Sequence, residues 1–174
     1  DFSEAAWQTF AVARNWTLQS GDGQKTVYAR FQDSEGGISS AVSGSITIDT
    51  FCGITEIDIS PDQGDFNPGD LIHFTMNVEE DETGGSGNIL IENHSESIGL
   101  FDNGRGGDSN ADDGVYECDF RSPLSLRGKD LLVSGEFIDR AGNESHFFES
   151  DRTLSFTDPP APVVLIGASD STTS

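Results

Sequence analysis

Basic residues are scarce. Nine Lys and Arg stand against 31 Asp and Glu, a formal charge of −22 over 174 residues. A surface that grips phosphate needs clustered positive charge, so nucleic acid and anionic membrane are excluded as partners. Long apolar runs are missing as well: the longest, Val163 to Gly167, falls far below the roughly twenty residues needed to cross a bilayer. No basic, apolar, small-residue leader opens the chain. From its abrupt start at Asp1 and its Ser/Thr-rich end, the sequence is expected to be a soluble piece of a longer protein whose targeting signals lie elsewhere.

Catalytic motifs are equally sparse. Neither Gly-x-Ser-x-Gly nor Gly-x-x-x-x-Gly-Lys-Ser/Thr occurs, which removes the usual nucleophile elbow and phosphate loop. His73, His94 and His146 are scattered and only two cysteines exist, so no zinc spacing is present. Nothing singles out a carboxylate pair for glycoside hydrolysis. No enzymatic activity is expected.

Strand signals recur throughout. Apolar residues alternate at Thr26–Phe31, Ser45–Ile48, Ile54–Ile59, Leu71–Val78, Asn88–Ile91, Val115–Phe120, Leu131–Phe137 and Thr153–Phe156. Period two over four to eight residues, rich in Val, Ile, Thr and Phe, predicts half-buried strands. Clusters such as Gly21-Asp22-Gly23 and Gly84-Gly85-Ser86-Gly87 supply the turns between them. The expected class is all-β, built as β-sandwiches.

An internal repeat organises these strands. Phe31-Gln32-Asp33-Ser34-Glu35-Gly36-Gly37-Ile38-Ser39 aligns with Phe137-Ile138-Asp139-Arg140-Ala141-Gly142-Asn143-Glu144-Ser145 at an offset of 106, and Ile46 and Ile48 match Leu154 and Phe156 after a shift of two. Each copy reads as strand, Asp-capped turn with a left-handed Gly, and return strand. A period of this size fits a tandem array of immunoglobulin-sized sandwiches. Residues 51–158 then form one complete domain and residues 1–50 the second half of another. Residues 159–174 carry a Pro-rich linker and the strand Val163–Ile166, either the first strand of a further repeat or a donor strand. A half sandwich cannot cover its own sheet, so residues 1–50 must obtain partner strands.

Trp7-Gln8-Thr9-Phe10, Trp16-Thr17-Leu18 and Gly21-Asp22-Gly23-Gln24-Lys25-Thr26-Val27-Tyr28-Ala29-Arg30-Phe31-Gln32-Asp33 together resemble the second half of bacterial immunoglobulin-like or fibronectin-type-III-like repeats of large surface proteins. In those repeats such a stretch forms the last hairpin before a proline-bearing linker. Asp139–Asn143 keeps the pattern of that hairpin, whereas Gly37 departs from it, and Asp158-Pro159-Pro160 keeps the linker prolines that Asp49-Thr50-Phe51-Cys52 lacks. The resemblance implies an extracellular, cell-surface setting and no catalytic residues.

Charge concentrates in the second domain: residues 51–158 hold 24 acidic and 6 basic residues. Carboxylates at that density repel one another unless they are neutralised. The sharpest motif runs from Asp102 to Tyr116, with Asp102, Asn103, Asp108, Asn110, Asp112 and Asp113 on a Gly-rich loop. Short oxygen-bearing side chains on such a loop, with backbone carbonyls, suit the six to eight oxygens of Ca²⁺. The EF-hand register fails, since counting from Asp108 puts Asp113 at the sixth position and Asp119 at the twelfth. Over its whole length the loop resembles the acidic loop of bacterial immunoglobulin-like domains, with Asn103 for its second Asp. The competing reading is turn capping by the same Asp and Asn residues. Glu79-Glu80-Asp81-Glu82 reads as a solvated loop tip, and Asp58, Asp62, Asp65 and Asp70 as turn caps around Pro61 and Pro68.

Cys52 and Cys118 are expected to form a disulfide in an extracellular setting, Cys118 alternatively serving as a buried thiol. Asn15, Asn93 and Asn143 open glycosylation sequons. Trp7, Trp16 and Tyr28 are expected in a core rather than on a sugar-binding face. The resulting expectation is a structural, adhesive module of an extracellular repeat protein. It would be stabilised by calcium and joined to neighbouring copies or other surface proteins by β-augmentation. The rival expectation is a carbohydrate- or protein-binding module.

Overall fold

The computed structural model describes residue 2 and residues 5–62, 64–79 and 82–157. The linker and strand expected over residues 159–174, together with Glu80 and Asp81, lie outside the described residues. The fold is all-β with several antiparallel sheets. Its strands are β1 (Gly23–Ala29), β2 (Val42–Ile48), β3 (Ile54–Ser60), β4 (Leu71–Val78), β5 (Ser86–Ile91), β6 (Ile98–Leu100), β7 (Val115–Arg121), β8 (Gly128–Leu131), β9 (Val133–Ile138), β10 (Phe148–Glu149) and β11 (Leu154–Phe156). The chain divides between Thr50 and Phe51 into two units.

Unit 2 forms the core. β3-β4-β7 make one sheet, β10-β9-β5-β6 a second and β11-β8 a third pairing. Alternation fixes which side faces inward: on β4, Ile72, Phe74, Met76 and Val78 are buried while the residues between them are not. Ile57 and Ile59 of β3, Tyr116 and Cys118 of β7, Ile89 and Ile91 of β5 and Phe137 of β9 join them in one cluster. Burying a side chain of this size contributes about 1.5–3 kcal/mol. The predicted strand Leu131–Phe137 is broken at Leu132, so that β8 pairs with β11 and β9 with β5 and β10. Glu92 holds the break, donating its N–H to Leu132 O at 2.9 Å and accepting Leu132 N–H at 3.2 Å.

Unit 1 contains one hairpin, β1 paired with β2 from Gly23↔Ile48 to Ala29↔Val42. Its open end is tied by Asp22, whose carboxylate accepts Thr50 N–H at 3.0 Å and Thr50 Oγ1–H at 2.7 Å. Trp7, Trp16 and Tyr28 are 56%, 63% and 54% exposed, which corrects the expectation that they sit in a core. One hairpin has no second layer to bury them.

The two units share the same turn: in each the Asp N–H donates to the carbonyl four residues on and Asp Oδ1 accepts the N–H of that residue, and they differ in the second N–H that Oδ1 accepts. Asp33 Oδ1 accepts Glu35 N–H and Gly37 N–H at 3.0 and 2.7 Å, and Asp139 Oδ1 accepts Gly142 N–H and Asn143 N–H at 2.6 and 2.8 Å. Ser39 N–H donates to Phe31 O and Ser145 N–H to Phe137 O, while the Ser39 and Ser145 hydroxyls accept Phe31 and Phe137 N–H. Gly36 and Gly142 hold φ of 89° and 94°, where a side chain is costly.

The shift of two between the repeats falls at Ser150–Arg152, and these residues have a task of their own. β3 is an edge strand, and two of its carbonyls are already taken: Ser150 Oγ donates to Ile57 O at 3.1 Å, and Arg152 Nη1 donates to Ile59 O. Arg152 is held in place by Asp62 at 2.8 Å and Asp58 at 3.8 Å.

Candidate functional site

The acidic loop leaves β6 and returns into β7. Its ends are clamped by Phe101 and Glu117, which exchange both backbone hydrogen bonds at 2.9 and 2.8 Å. Within it the six candidate ligands fall into two groups. Asp108, only 6% exposed, accepts N–H from Asn103, Gly104 and, at 3.2 Å, Asn110. Asn103 and Asn110 therefore act through their backbones. At the other end Asp102 O accepts Asp112 N–H at 3.4 Å, Asp102 Oδ1 accepts Asp113 N–H at 3.0 Å, and Asp113 in turn caps Val115 N–H at 3.0 Å. Asp112 sits at φ 57°, a left-handed position that Asp tolerates. Capping thus accounts for Asp108 and Asp113. Among the described residues, no three carboxylates of this loop converge within 4.8 Å of one another.

One oxygen stands apart. Asp102 Oδ2 is buried without a hydrogen-bond partner, an unsatisfied acceptor of the kind that costs free energy unless a donor or cation meets it. Near it stands the Tyr116 phenol, which accepts Gly85 N–H at 2.8 Å and donates to Glu82 O at 2.9 Å. Burial pushes this phenol above its ordinary pKa; the bond from Gly85 opposes that, and the charges of Asp102, Glu82 and Asp112 reinforce it. Glu82 and Asp139 bring carboxylate oxygens within 4.8 Å of each other. The acidic groups acting on Tyr116 thus come from two segments, and Asp139 approaches one of them, Glu82, from a third. The sequence reading missed the approach of Asp139 to Glu82 and placed Glu82 on a solvated tip, because only the folded chain brings these two loops together.

The far side of the loop is fastened to the sheet through Glu117. Ser109 donates N–H and Oγ–H to Glu117 Oε2 at 2.8 and 2.5 Å, and Asp119 N–H reaches Gly106 O at 2.9 Å. His73 on β4 lies between Glu117 at 3.2 Å and Asp119 at 3.0 Å. Burial lowers the His73 pKa, but the hydrogen bonds and charges of Asp119 and Glu117 outweigh it and leave it above the ordinary 6.5. Burial likewise raises Glu117, and the donors of Ser109 and His73 outweigh it and leave it below 4.5. Stability from His73 is complete below its ordinary value and lost as pH rises through the raised one. Stability from Glu117 is complete above its ordinary value and lost as pH falls through the lowered one. The attachment is therefore expected to be firmest between about pH 4.5 and 6.5. An NMR titration should show the His73 midpoint above 6.5, and His73→Gln should abolish the alkaline decline in stability.

Cys52 and Cys118 remain thiols, which corrects the expected disulfide. Cys52 Sγ donates to Phe137 O at 3.6 Å. Cys118 packs in the core, where burial, with Asp119 adding, pushes its pKa up to about 12; it behaves as a small apolar side chain. Of the sequons, Asn15 and Asn93 are exposed, Asn93 in a turn at φ 62°. Asn143 is half-buried, with Nδ2 donating to Asp139 Oδ2 at 2.6 Å. Its amide serves the turn. Asp70 caps Asn67 N–H at 2.7 Å. No family model matches the chain, and no curated protein matches it.

Proposed function

We propose that this chain is a structural and adhesive module of an extracellular repeat protein, built from tandem immunoglobulin-like β-sandwiches. In this reading unit 2 is one complete module and unit 1 the closing hairpin of another. The observation that carries the proposal is the hairpin that recurs at an offset of 106 with the same turn bonds in both units. Duplicated modules of this size serve as spacers and building blocks whose chemistry is burial rather than catalysis. No residue is assigned a catalytic role.

Calcium enters the proposal through the acidic end of unit 2, where Asp102 Oδ2 would gain the positive partner it lacks and the charges that Asp102, Glu82 and Asp112 bring to bear on Tyr116 would be offset. A ligand bound only to the folded state at a hundredfold excess over its Kd adds about 2.7 kcal/mol, which for a domain near 100 residues is about ten degrees or more in Tm. Melts in millimolar calcium and in excess chelator are expected to differ by that amount, and Asp102→Asn should remove most of the difference. Equal melts would remove the calcium from the proposal. Binding on a glycan array that is lost on replacing the exposed Trp7 and Trp16 would favour the carbohydrate-binding module instead.

A further inference from the structure

Unit 2 shows what the hairpin of unit 1 is shaped to meet. At the offset of 106, Val27, Ala29 and Phe31 stand where Val133, Gly135 and Phe137 stand, and Val42 stands where Phe148 does. The registers agree: Ala29↔Val42 matches Gly135↔Phe148, and Lys25↔Ile46 matches Leu131↔Leu154 once the two inserted residues are passed. In unit 2 this face is closed. Val133, Phe137, Leu154 and Phe156 are at most 3% exposed, and the space beside Gly135 is filled by Ile54 and Ile57 of β3 and Met76 of β4. In unit 1 Phe31, Val42 and Ile46 are 51%, 52% and 56% exposed.

A second correspondence lies outside the hairpin. Tyr116 of β7 packs edge-on against Phe137 at 4.8 Å, and the same offset takes this pair to Phe10 and Phe31, whose rings meet at 6.3 Å. Val12 then stands where the buried Cys118 stands, yet Val12 is 97% exposed. Residues 9–15 are the counterpart of β7, with Phe10 and Val12 at the positions of Tyr116 and Cys118 and Arg14 at that of Phe120, but form no strand. β7 is a strand because β4 pairs with it from Leu71↔Arg121 to Asn77↔Val115. Residues 9–15 keep two of the inward apolar side chains of such a strand, Phe10 and Val12, and have no pairing strand among the described residues.

We infer that unit 1 presents a docking surface for one kind of partner, a half-domain of antiparallel strands with alternating apolar residues, equivalent to β3–β6. One of its strands pairs with residues 9–15 as β4 pairs with β7. Another pairs with the free edge of β1 as β5 pairs with β9, completing the sheet by β-augmentation. The interface is the repeat equivalent of one already formed inside unit 2, so its chemistry is known: Ile, Phe, Val and Met side chains entering between the two layers. The inference rests on the tandem reading proposed above and is independent of calcium, so either test can fail while the other stands.

The experiment joins a second copy of residues 51–106 directly ahead of residue 1 of the full chain, which preserves the repeat spacing. Amides of β1 and β2 are expected to exchange about a hundredfold more slowly in the extended chain than in the chain itself, as local opening becomes coupled to a covered core. Residues 9–15 should become protected and the tryptophan emission should shift to the blue. Val27→Asp in the extended chain should abolish these gains and leave the unit 2 transition in place. In the chain by itself, β1 and β2 amides should exchange about a hundredfold faster than those of β9. Two results would overturn the inference. One is an extended chain whose β1 and β2 amides gain no protection. The other is a chain that already protects them to the level of β9, alone or as a dimer in sedimentation, for then the cover is its own or that of a second copy.

Discussion

Phe137→Ala is expected to lower the stability of unit 2 by about 3–5 kcal/mol, while Phe31→Ala, at the equivalent position of unit 1, changes the stability of the chain by less than about 0.5 kcal/mol. The residues share their chemistry, their turn and their place in the repeat. They differ in cover: Phe137 is 1% exposed with its ring against Tyr116, whereas Phe31 is 51% exposed. Truncating Phe137 leaves a cavity between Tyr116 and Gly85, whose added Cβ would lie 2.3 Å from the Phe137 ring. Truncating Phe31 opens nothing to fill. Denaturant titration followed by far-ultraviolet circular dichroism measures both, and equal losses would mean that unit 1 has a core.

Gly107→Ala should be the most damaging change in the acidic loop, costing about 3 kcal/mol through forced displacement of packed backbone. Gly107 holds φ of 108°, and a Cβ there would lie 2.3 Å from Asp119 N and 2.7 Å from the Cys118 carbonyl carbon. Those are backbone atoms of β7 and cannot swing aside. Either the loop lifts off, breaking Asp119 N–H to Gly106 O and Ser109 to Glu117, or β7 shifts against the core. Gly142→Ala is the control: its φ is 94° but nothing lies within 4 Å of the added carbon, so only the left-handed backbone is penalised, at about 1–2 kcal/mol. Exchange of the Asp119 amide distinguishes the two variants, rising in the first and holding in the second.

Much of this architecture is written in local alternation. β4 lies where period two in Leu71–Val78 puts it, and the repeat of Phe31–Ser39 in Phe137–Ser145 is a repeat of hydrogen bonds as well as of letters. What local pattern could not convey is which neighbours a segment has. Residues 9–15 hold Phe10 and Val12 where β7 holds Tyr116 and Cys118 and form no strand, because a strand needs a partner. β6 and β10 escaped notice because three and two residues are too few for a period. At the candidate site the loop's acidic content was legible, but the roles inside it were not. Asp108 became the anchor of the turn, and Glu117 and His73 became its fastening, through cross-strand pairing of β4 with β7. Asp139 reads as a turn cap and is one; its approach to Glu82 depends on two loops meeting.

The two residues by which the repeats differ in length set how unit 2 behaves in a crowd. An exposed border strand offers its carbonyls to any extended peptide that drifts by, and that is how soluble β-proteins are drawn into fibres. Along β3 the first handholds are occupied by a hydroxyl and a guanidinium from the same molecule, the latter pinned by two carboxylates. Molecules packed side by side at high density can therefore brush past this seam without zipping together. Shortening that connection by two residues, to the length found in β1–β2, would turn a sealed border into a sticky one.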